Sequence, residues 1–297
     1  MSNLRVIAHI KGGLGNQLFC YAAARRLAIV NSAELVIDSV NGFTCDTTYQ
    51  RRYSLNHFNV VGRLATAKER LEPFEWYKRK AAKFLFRLFP FDQRPYLVQE
   101  GRSFDSRLLH LKLKRSVYLD GYWQSEKYFK DIEATIRQDL MITPPEDSLN
   151  QAYCEKIKQQ PRAIALHVRW FGSPNTDSPY NASPSYYQRA IALMKERLGT
   201  PHFFLFSDDP TAAREQLSLS KDDVTYVAHN QGDENAYADL WLMSHCKHFI
   251  TANSTFSWWG AWLSTHPDKQ VITPNLNITG ITSWGFDGLV PDRWVKL

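Results

Sequence analysis

From Ala163 to Thr273, short apolar runs alternate with helix-length amphipathic runs. Strands are predicted at Ala163–Val168, His202–Phe206, Val224–Val227, before Asn253 and at Gln270–Thr273. Helices are predicted over Ser183–Leu198, up to Leu217, over Glu234–Cys246 and from the Asn253 turn onward. Parallel neighbours need a crossover, and a helix supplies it, so this alternation predicts an α/β fold with a doubly wound parallel sheet. Ligands of such sheets sit beyond the carboxyl ends of the strands. That edge would collect His167 and Arg169, then Asp208 and Asp209, then the Asn253 turn. An Arg beside a helix start, with carboxylates near enough to take ribose hydroxyls or base N–H groups, describes a nucleoside diphosphate site.

The helix start is the stretch Asn253–Leu263, NSTFSWWGAWL, which follows the apolar run His248–Ala252. Small polar residues there read as an N-cap. Asn253, Ser254, Thr255 and Ser257 can add side-chain donors to the positive end of the helix dipole, so a phosphate is the expected guest; a plain capped helix is the simpler reading. Trp258, Trp259 and Trp262 imply a helix that is either deeply buried or lines a cleft.

The first half opens with a strand at Leu4–Ile10 that breaks at Lys11-Gly12-Gly13-Leu14-Gly15-Asn16-Gln17 before a helix. Glycines at such a turn let the backbone approach a ligand, although the spacing is neither GxGxxG nor a P-loop. The amides of Asn16 and Gln17 can bond hydroxyls or a phosphate. Further strands are predicted at Leu35–Asp38 and Val117–Asp120. After the latter, Gly121–Phe129 groups Trp123 and Gln124 among aromatics, a way to hold a sugar ring and equally a way to fill a domain edge. Trp76–Phe91 is basic and amphipathic; a helix packed on its own domain with Lys and Arg in water is favoured over one resting on a membrane. Thr143–Asp147 reads as a linker.

A chain of 297 residues accommodates two domains: 1–150, 151–275 and a tail, 276–297, expected to pack back on the first. The formal charge of +6 favours anionic partners weakly, and no nucleic-acid module is present. Cys20, Cys45, Cys154 and Cys246 have no metal spacing and read as reduced thiols. With no signal peptide and no apolar run of spanning length, a cytoplasmic location is expected, with weak association to the inner membrane surface as an option.

GGLGNQLF, GYWQSEKYF, HVR, FSDDP and DLWLMSHCKHFITANSTFSWWGAWL, in this order, resemble the bacterial α-1,2-fucosyltransferases of glycosyltransferase family eleven, over nearly the whole chain. The resemblance implies a GT-B-like arrangement of two Rossmann-like domains whose parallel sheets face a central cleft. It further implies inverting, metal-independent transfer of L-fucose from GDP-β-L-fucose, a co-substrate, to the 2-hydroxyl of a galactoside in surface polysaccharide or O-antigen synthesis, with no cofactor. Arg169 then corresponds to the arginine on the donor phosphates, with His167 opening its motif; Ser254, Thr255 and Ser257 would hold the β-phosphate, and Asp208 and Asp209 would lie near the guanosine. Asn16, with Arg169 a catalytic candidate, would face the cleft together with Gly13 and Gly15, which count with Asn253 among the donor-binding candidates; Gln17, Trp123 and Gln124 are acceptor-side candidates.

The family motif His-x-Arg-Arg-x-Asp is altered here: Trp170 stands for its second Arg and Gly172 for its Asp, removing one phosphate-facing cation. Another GDP-sugar as donor, or a non-catalytic glycan- or nucleotide-binding relative, are the alternatives. No general base is identified: Asp38, Asp120 and Glu126 fall near cleft elements, and each has an ordinary structural reading, as do His9 and His167.

Overall fold

The computed structural model describes residues 4–44, 46–47, 49–101, 103–172, 174, 178, 180–217, 219–275 and 288–297. The chain divides into two compact units, Met1–Ile142 with Phe286–Leu289, and Thr143–Gly285 with Val290–Leu297. The division falls at the start of the Pro-rich segment Thr143–Asp147. Of the tail expected to pack back on the first domain, residues 276–287 lie outside the described residues and Gly288 does belong to the first unit, its carbonyl accepting from Ser125 Oγ at 2.7 Å; Val290–Leu297, against that expectation, belong to the second unit, where Ile272 and Thr273 pair with Val295 and Lys296.

In the first unit β1 (Arg5–Lys11) leads into α1 (Leu14–Val30), followed by β2 (Glu34–Gly42), the two-residue β3 (Arg63–Leu64), α2 (Glu75–Phe86) and β4 (Tyr96–Val98). A short α3 (Arg107–His110), β5 (Val117–Asp120) and α4 (Glu133–Asp139) complete it. The sheet order is β3-β2-β1-β5-β4, and every pairing is parallel. Starting at β1, the chain winds outward through β2 to β3, then places β5 on the other side of β1. The strand order therefore reverses between β1 and β5. α1 is buried along most of its length, with Leu18, Phe19, Tyr21 and Leu27 inaccessible, because it covers a sheet whose strands are themselves apolar.

The second unit begins with α5 (Ser148–Gln159), whose N-cap Asp147 accepts from Asn150 N. Next come β6 (Ala163–Val168), α6 (Pro184–Leu198), β7 (His202–Ser207), α7 (Pro210–Leu217), β8 (Val224–Val227) and α8 (Ala236–His245). The chain continues with β9 (His248–Ile250), α9 (Thr255–Leu263), β10 (Val271–Thr273) and β11 (Val295–Lys296). The order is β11-β10-β9-β6-β7-β8, again wholly parallel. Here the order reverses between β6 and β9. Ser183 caps α6 by accepting from Tyr186 N, and Pro184 occupies the first turn, where its missing N–H costs nothing. The three Trp of α9 resolve to burial: Trp258, Trp259 and Trp262 are at most 3% exposed. Trp259 meets Trp258 and Trp262 edge-on at 4.9 and 5.2 Å. Gly260 permits the close approach of α8, since a Cβ there would stand 3.1 Å from the Met243 side chain.

α2 departs from the expectation for its segment. Lys78, Lys80 and Lys83 are exposed, as the favoured arrangement has them, but Arg79 is buried, Lys83 Nζ also pairs with buried Asp120 at 2.8 Å, and Trp76, Tyr77, Phe84 and Leu85 are exposed as well. The buried carboxylate draws the cationic face inward. Among the described residues, Cys20, Cys154 and Cys246 are free thiols, and no helix is long and apolar enough to cross a membrane; Cys45 lies outside them.

Candidate functional site

In the second unit the side chains singled out by sequence gather where the strand order reverses, the place at which doubly wound sheets bind ligands. β6 and β9 lie side by side, Leu166 opposite Ile250, so Arg169 and the Asn253–Thr255 turn leave the sheet as neighbours. The His167 ring lies 5.6 Å from the Phe256 ring, tying the end of β6 to the first turn of α9. Ser254 is the N-cap and accepts from Phe256 N at 3.2 Å, which fixes the turn and leaves the positive end of the dipole at this edge. Arg169 Nη1 donates to Asp208 Oδ2 at 2.6 Å, and Asp208 Oδ1 accepts from Trp170 N at 3.2 Å. Burial pushes the Asp208 carboxyl up from its ordinary value while Arg169 pulls it back, leaving it raised. Asp208 thus orients the guanidinium from the neighbouring strand end.

The first unit repeats the pattern. Gly12–Asn16 follows β1 and Gly121–Gln124 follows β5, again across the reversal in strand order. Gly12 has φ of +74°, and a Cβ there would stand 2.9 Å from Asn16 Nδ2, so the turn requires glycine. Asn16 Oδ1 accepts from Gln124 Nε2 at 2.7 Å, joining the two strand ends. Gly13 is the N-cap of α1, and Gly15 lies buried in its first turn.

The profile of glycosyl transferase family 11 matches residues 5–283. The chain belongs to that family. Among its relatives, the O-antigen biosynthesis glycosyltransferase WbnK of Escherichia coli is 32% identical, covering 97% of this chain and 99% of its own. An alpha-1,2-colitosyltransferase of Escherichia coli is 27% identical, with 98% of each chain covered. Galactoside alpha-(1,2)-fucosyltransferase 2 of Bos taurus is 26% identical over 50% of this chain and 45% of its own. Of solved structures, the fucosyltransferase NodZ from Bradyrhizobium superposes with a TM-score of 0.54 at 16% identity, covering 95% of this chain and 98% of that one. The fold is therefore GT-B-like, built of two Rossmann-like units, and the protein is a glycosyltransferase.

Several candidates of this family 11 glycosyltransferase have structural duties that sequence did not foresee. Gln17 is inaccessible: its Nε2 donates to the carbonyls of Gly12 and Arg52, and its Oε1 accepts from Ser54 N, so it staples the 52–54 segment to the glycine turn. Trp123 is also inaccessible and packs edge-on against Tyr128 at 5.5 Å, filling the domain edge and offering no face to a sugar. Ser257 is fully buried, its Oγ accepting from Ala252 N and donating to Ser254 O inside the turn. Asp209 Oδ1 accepts from Ala212 N at 2.9 Å, a cap for α7. Asn253 Nδ2 donates to Tyr180 O at 3.1 Å. His167 is buried, and burial together with Arg169 lowers its imidazole to about 3, so it is neutral. Of the candidates in this unit, Arg169, Asp208 and Ser254 meet one another's segments at this edge, and Thr255 opens α9 beside them. Trp170 lies in the apolar core with Tyr186, Tyr187 and Leu205.

The carboxylates near strand ends are occupied. Asp120 accepts from Tyr96 OH at 2.8 Å and meets His9 Nδ1 at 3.0 Å and Lys11 Nζ at 2.5 Å. Burial would raise it, but His9, Lys11 and Lys83 outweigh burial and hold its carboxyl well below the usual range. Asp38 accepts from Val40 N, from Asn41 N and Nδ2, and from Tyr118 OH. Glu126 is buried in a 3-10 turn, Glu126–Tyr128.

A polar network after β8 escaped the sequence reading. Asn230 Nδ2 donates to Asp239 Oδ1 at 2.9 Å, Asn150 Nδ2 donates to Asn230 Oδ1 at 2.8 Å, and His229 Nε2 meets Asn150 Oδ1 at 3.0 Å. Burial pushes the Asp239 carboxyl up to about 7. Its signal was an Asp in the first turn of an otherwise apolar helix, Ala236–His245. Among the described residues no group of three His, Cys, Asp or Glu side chains is placed to hold a metal ion.

Proposed function

We propose that the protein transfers L-fucose, with inversion, from GDP-β-L-fucose to the 2-hydroxyl of a galactoside, forming an α-1,2 linkage in a surface glycan. The observation that carries this reading is that β6, which leads to Arg169, and β9, which leads to the capped N-terminus of α9, lie side by side where the strand order reverses. As the sugar departs, negative charge grows on the β-phosphate. A guanidinium already held by Asp208, together with a fixed helix dipole, stabilises that charge without rearranging at the moment of reaction. The Ser254 and Thr255 hydroxyls extend the cradle. Asn16, its amide held by Gln124, acts with Arg169 in catalysis, and Gly13 and Gly15 beside it serve the donor. Support comes from the full-length relative named as an α-1,2 transferase and from the galactoside α-(1,2)-fucosyltransferases that match half of the chain.

Asp120 and Asp38 are not the general base, because each already receives several donors and would have to break buried bonds to take a proton. Transfer of this kind proceeds without a metal, the guanidinium and the helix dipole carrying the charge on the leaving diphosphate. Purified protein should release GDP from GDP-fucose in the presence of EDTA only when a β-galactoside such as lactose is added; release independent of the acceptor would contradict transfer.

A second reading, in which another GDP-sugar is the donor, is favoured by the colitosyltransferase relative and by Trp170, whose packing in the core leaves the family's second Arg without a replacement. Colitose is fucose without its 3-hydroxyl. GDP-colitose offered in competition with GDP-fucose distinguishes the donors.

A further inference from the structure

We infer that α2 and the segment following it form a docking surface for an anionic lipid bilayer. A helix that merely packs on its own domain turns its apolar side inward and its charges to water. α2 departs from this on both sides, burying one cation and leaving a row of apolar side chains exposed. Arg79 is buried, and Lys83, one turn on, is held by the buried Asp120 carboxylate. The opposite side carries Tyr77, Ala81 and Phe84, at intervals of four and three residues, so they lie in one row, and Leu88 follows just past the end of the helix. Phe84 is 75% exposed and Leu88 81% exposed, and the Trp76 ring lies 4.8 Å from that of Tyr77.

Cations flank this row on both sides. Lys78 lies on one flank and Lys80 with Arg87 on the other, by their helical positions; Lys80 Nζ stands 5.0 Å from the Trp76 ring. From Trp76 to Phe91 there is no Asp or Glu. Aromatic and aliphatic side chains suited to the acyl boundary, with long cations placed to reach phosphates beside them, match the surface of a bilayer. A second copy of the chain fits less well, because a two-fold contact through this row would set Lys78 and Lys80 against the same cations of the partner. The inference is independent of which sugar the enzyme transfers.

The test is flotation of the full chain with phosphatidylcholine vesicles containing about 30% phosphatidylglycerol, a level chosen to give a negative surface potential. Pure phosphatidylcholine vesicles serve as the control. The protein should float with the anionic vesicles and be released by high salt, which screens the contact. Lys78→Gln with Lys80→Gln should weaken binding about twenty- to thirtyfold, from about fivefold for each cation at such a surface. Phe84→Ser with Leu88→Ser should abolish it. Both variants should keep the wild-type circular dichroism spectrum, since the substituted side chains point away from the domain. No flotation of the wild-type chain, or undiminished binding by the Phe84→Ser/Leu88→Ser variant, overturns the inference. So does light scattering that shows a dimer which this variant converts to monomer, as it would make a second copy the occupant.

Discussion

Asp120→Asn tests how the first unit holds its glycine turn. The substitution keeps the volume of the side chain and one oxygen to accept from Tyr96 OH, and it removes the charge and turns the oxygen facing Lys11 and His9 into an NH2 donor. Lys11, 23% exposed and adjacent to Gly12, then keeps its ammonium without the carboxylate 2.5 Å away. Stranding one partner of a fully buried pair costs about 3–5 kcal/mol. Because Lys11 retains some solvent, and Lys83 is 45% exposed and regains water, the expected loss is about 2–3 kcal/mol. For a unit of this size that corresponds to a fall in Tm of about 6–10 °C. The assay is urea unfolding followed by circular dichroism at pH 7, with Lys11→Met and the double variant completing a cycle. Lys11→Met should recover much of the loss in the Asp120→Asn background. The pH dependence carries a sign as well. The folded-state pKa of Asp120 is depressed, so its contribution is present above the unfolded value, about 3.9, and is lost as pH falls toward the lower folded value. The gap between wild type and variant should therefore be full at pH 7 and shrink in acid. A loss under about 1 kcal/mol, or strict additivity in the cycle, would refute the view that this carboxylate neutralises the strand end.

Arg169→Ala should lower turnover by about a hundredfold or more, the scale on which removing one preorganised donor to a developing anion acts, with an unchanged unfolding midpoint; normal turnover removes its assigned role. Trp123→Ala should cost about 3–5 kcal/mol of stability and leave the acceptor KM of the remaining folded protein unaltered. An altered KM at wild-type stability would instead make Trp123 a sugar platform. His167 titrates near 3 when folded, well below the ordinary histidine value of about 6.5, so its contribution is complete above about 6.5 and is lost as pH falls toward 3. His167→Gln should flatten that acid limb in denaturant titrations, and an unchanged slope would count against a buried neutral imidazole. Asp239 is raised to about 7, so its contribution is present below about 3.9 and lost as pH rises through 7; Asp239→Asn should gain stability relative to wild type at pH 8.

The second unit was legible because its strands are buried on both faces and its helices on one. Runs such as Ala163–Val168 and the Ser183 cap before Pro184 therefore carry strong local signals. The weaker reading of the first unit has a physical cause. β3 is two residues long and β4 three, too short for any periodicity, and they are recruited by neighbours already in the sheet. Residue type alone could not separate Ser254 from Ser257. The first faces the end of α9, whereas the second, three positions on, turns into the sheet and bonds the turn itself. Gln17 misled for a similar reason, since an amide beside a glycine turn serves a ligand or the backbone equally well, and the carbonyl of Arg52 decided it. The inverted orientation of α2 needed Asp120, distant in sequence, to be seen at all.

The central claim is that the edge formed by Arg169 and α9 binds the diphosphate of a GDP-sugar and promotes its departure to an acceptor hydroxyl. The most direct measurement is GDP release from GDP-fucose by wild type and Arg169→Ala, in EDTA, with and without lactose, followed by linkage analysis of the product. The account predicts lactose-dependent release by wild type, an α-1,2-fucosylated product, and loss of both in the variant. Release that ignores lactose, or that survives Arg169→Ala, would contradict it.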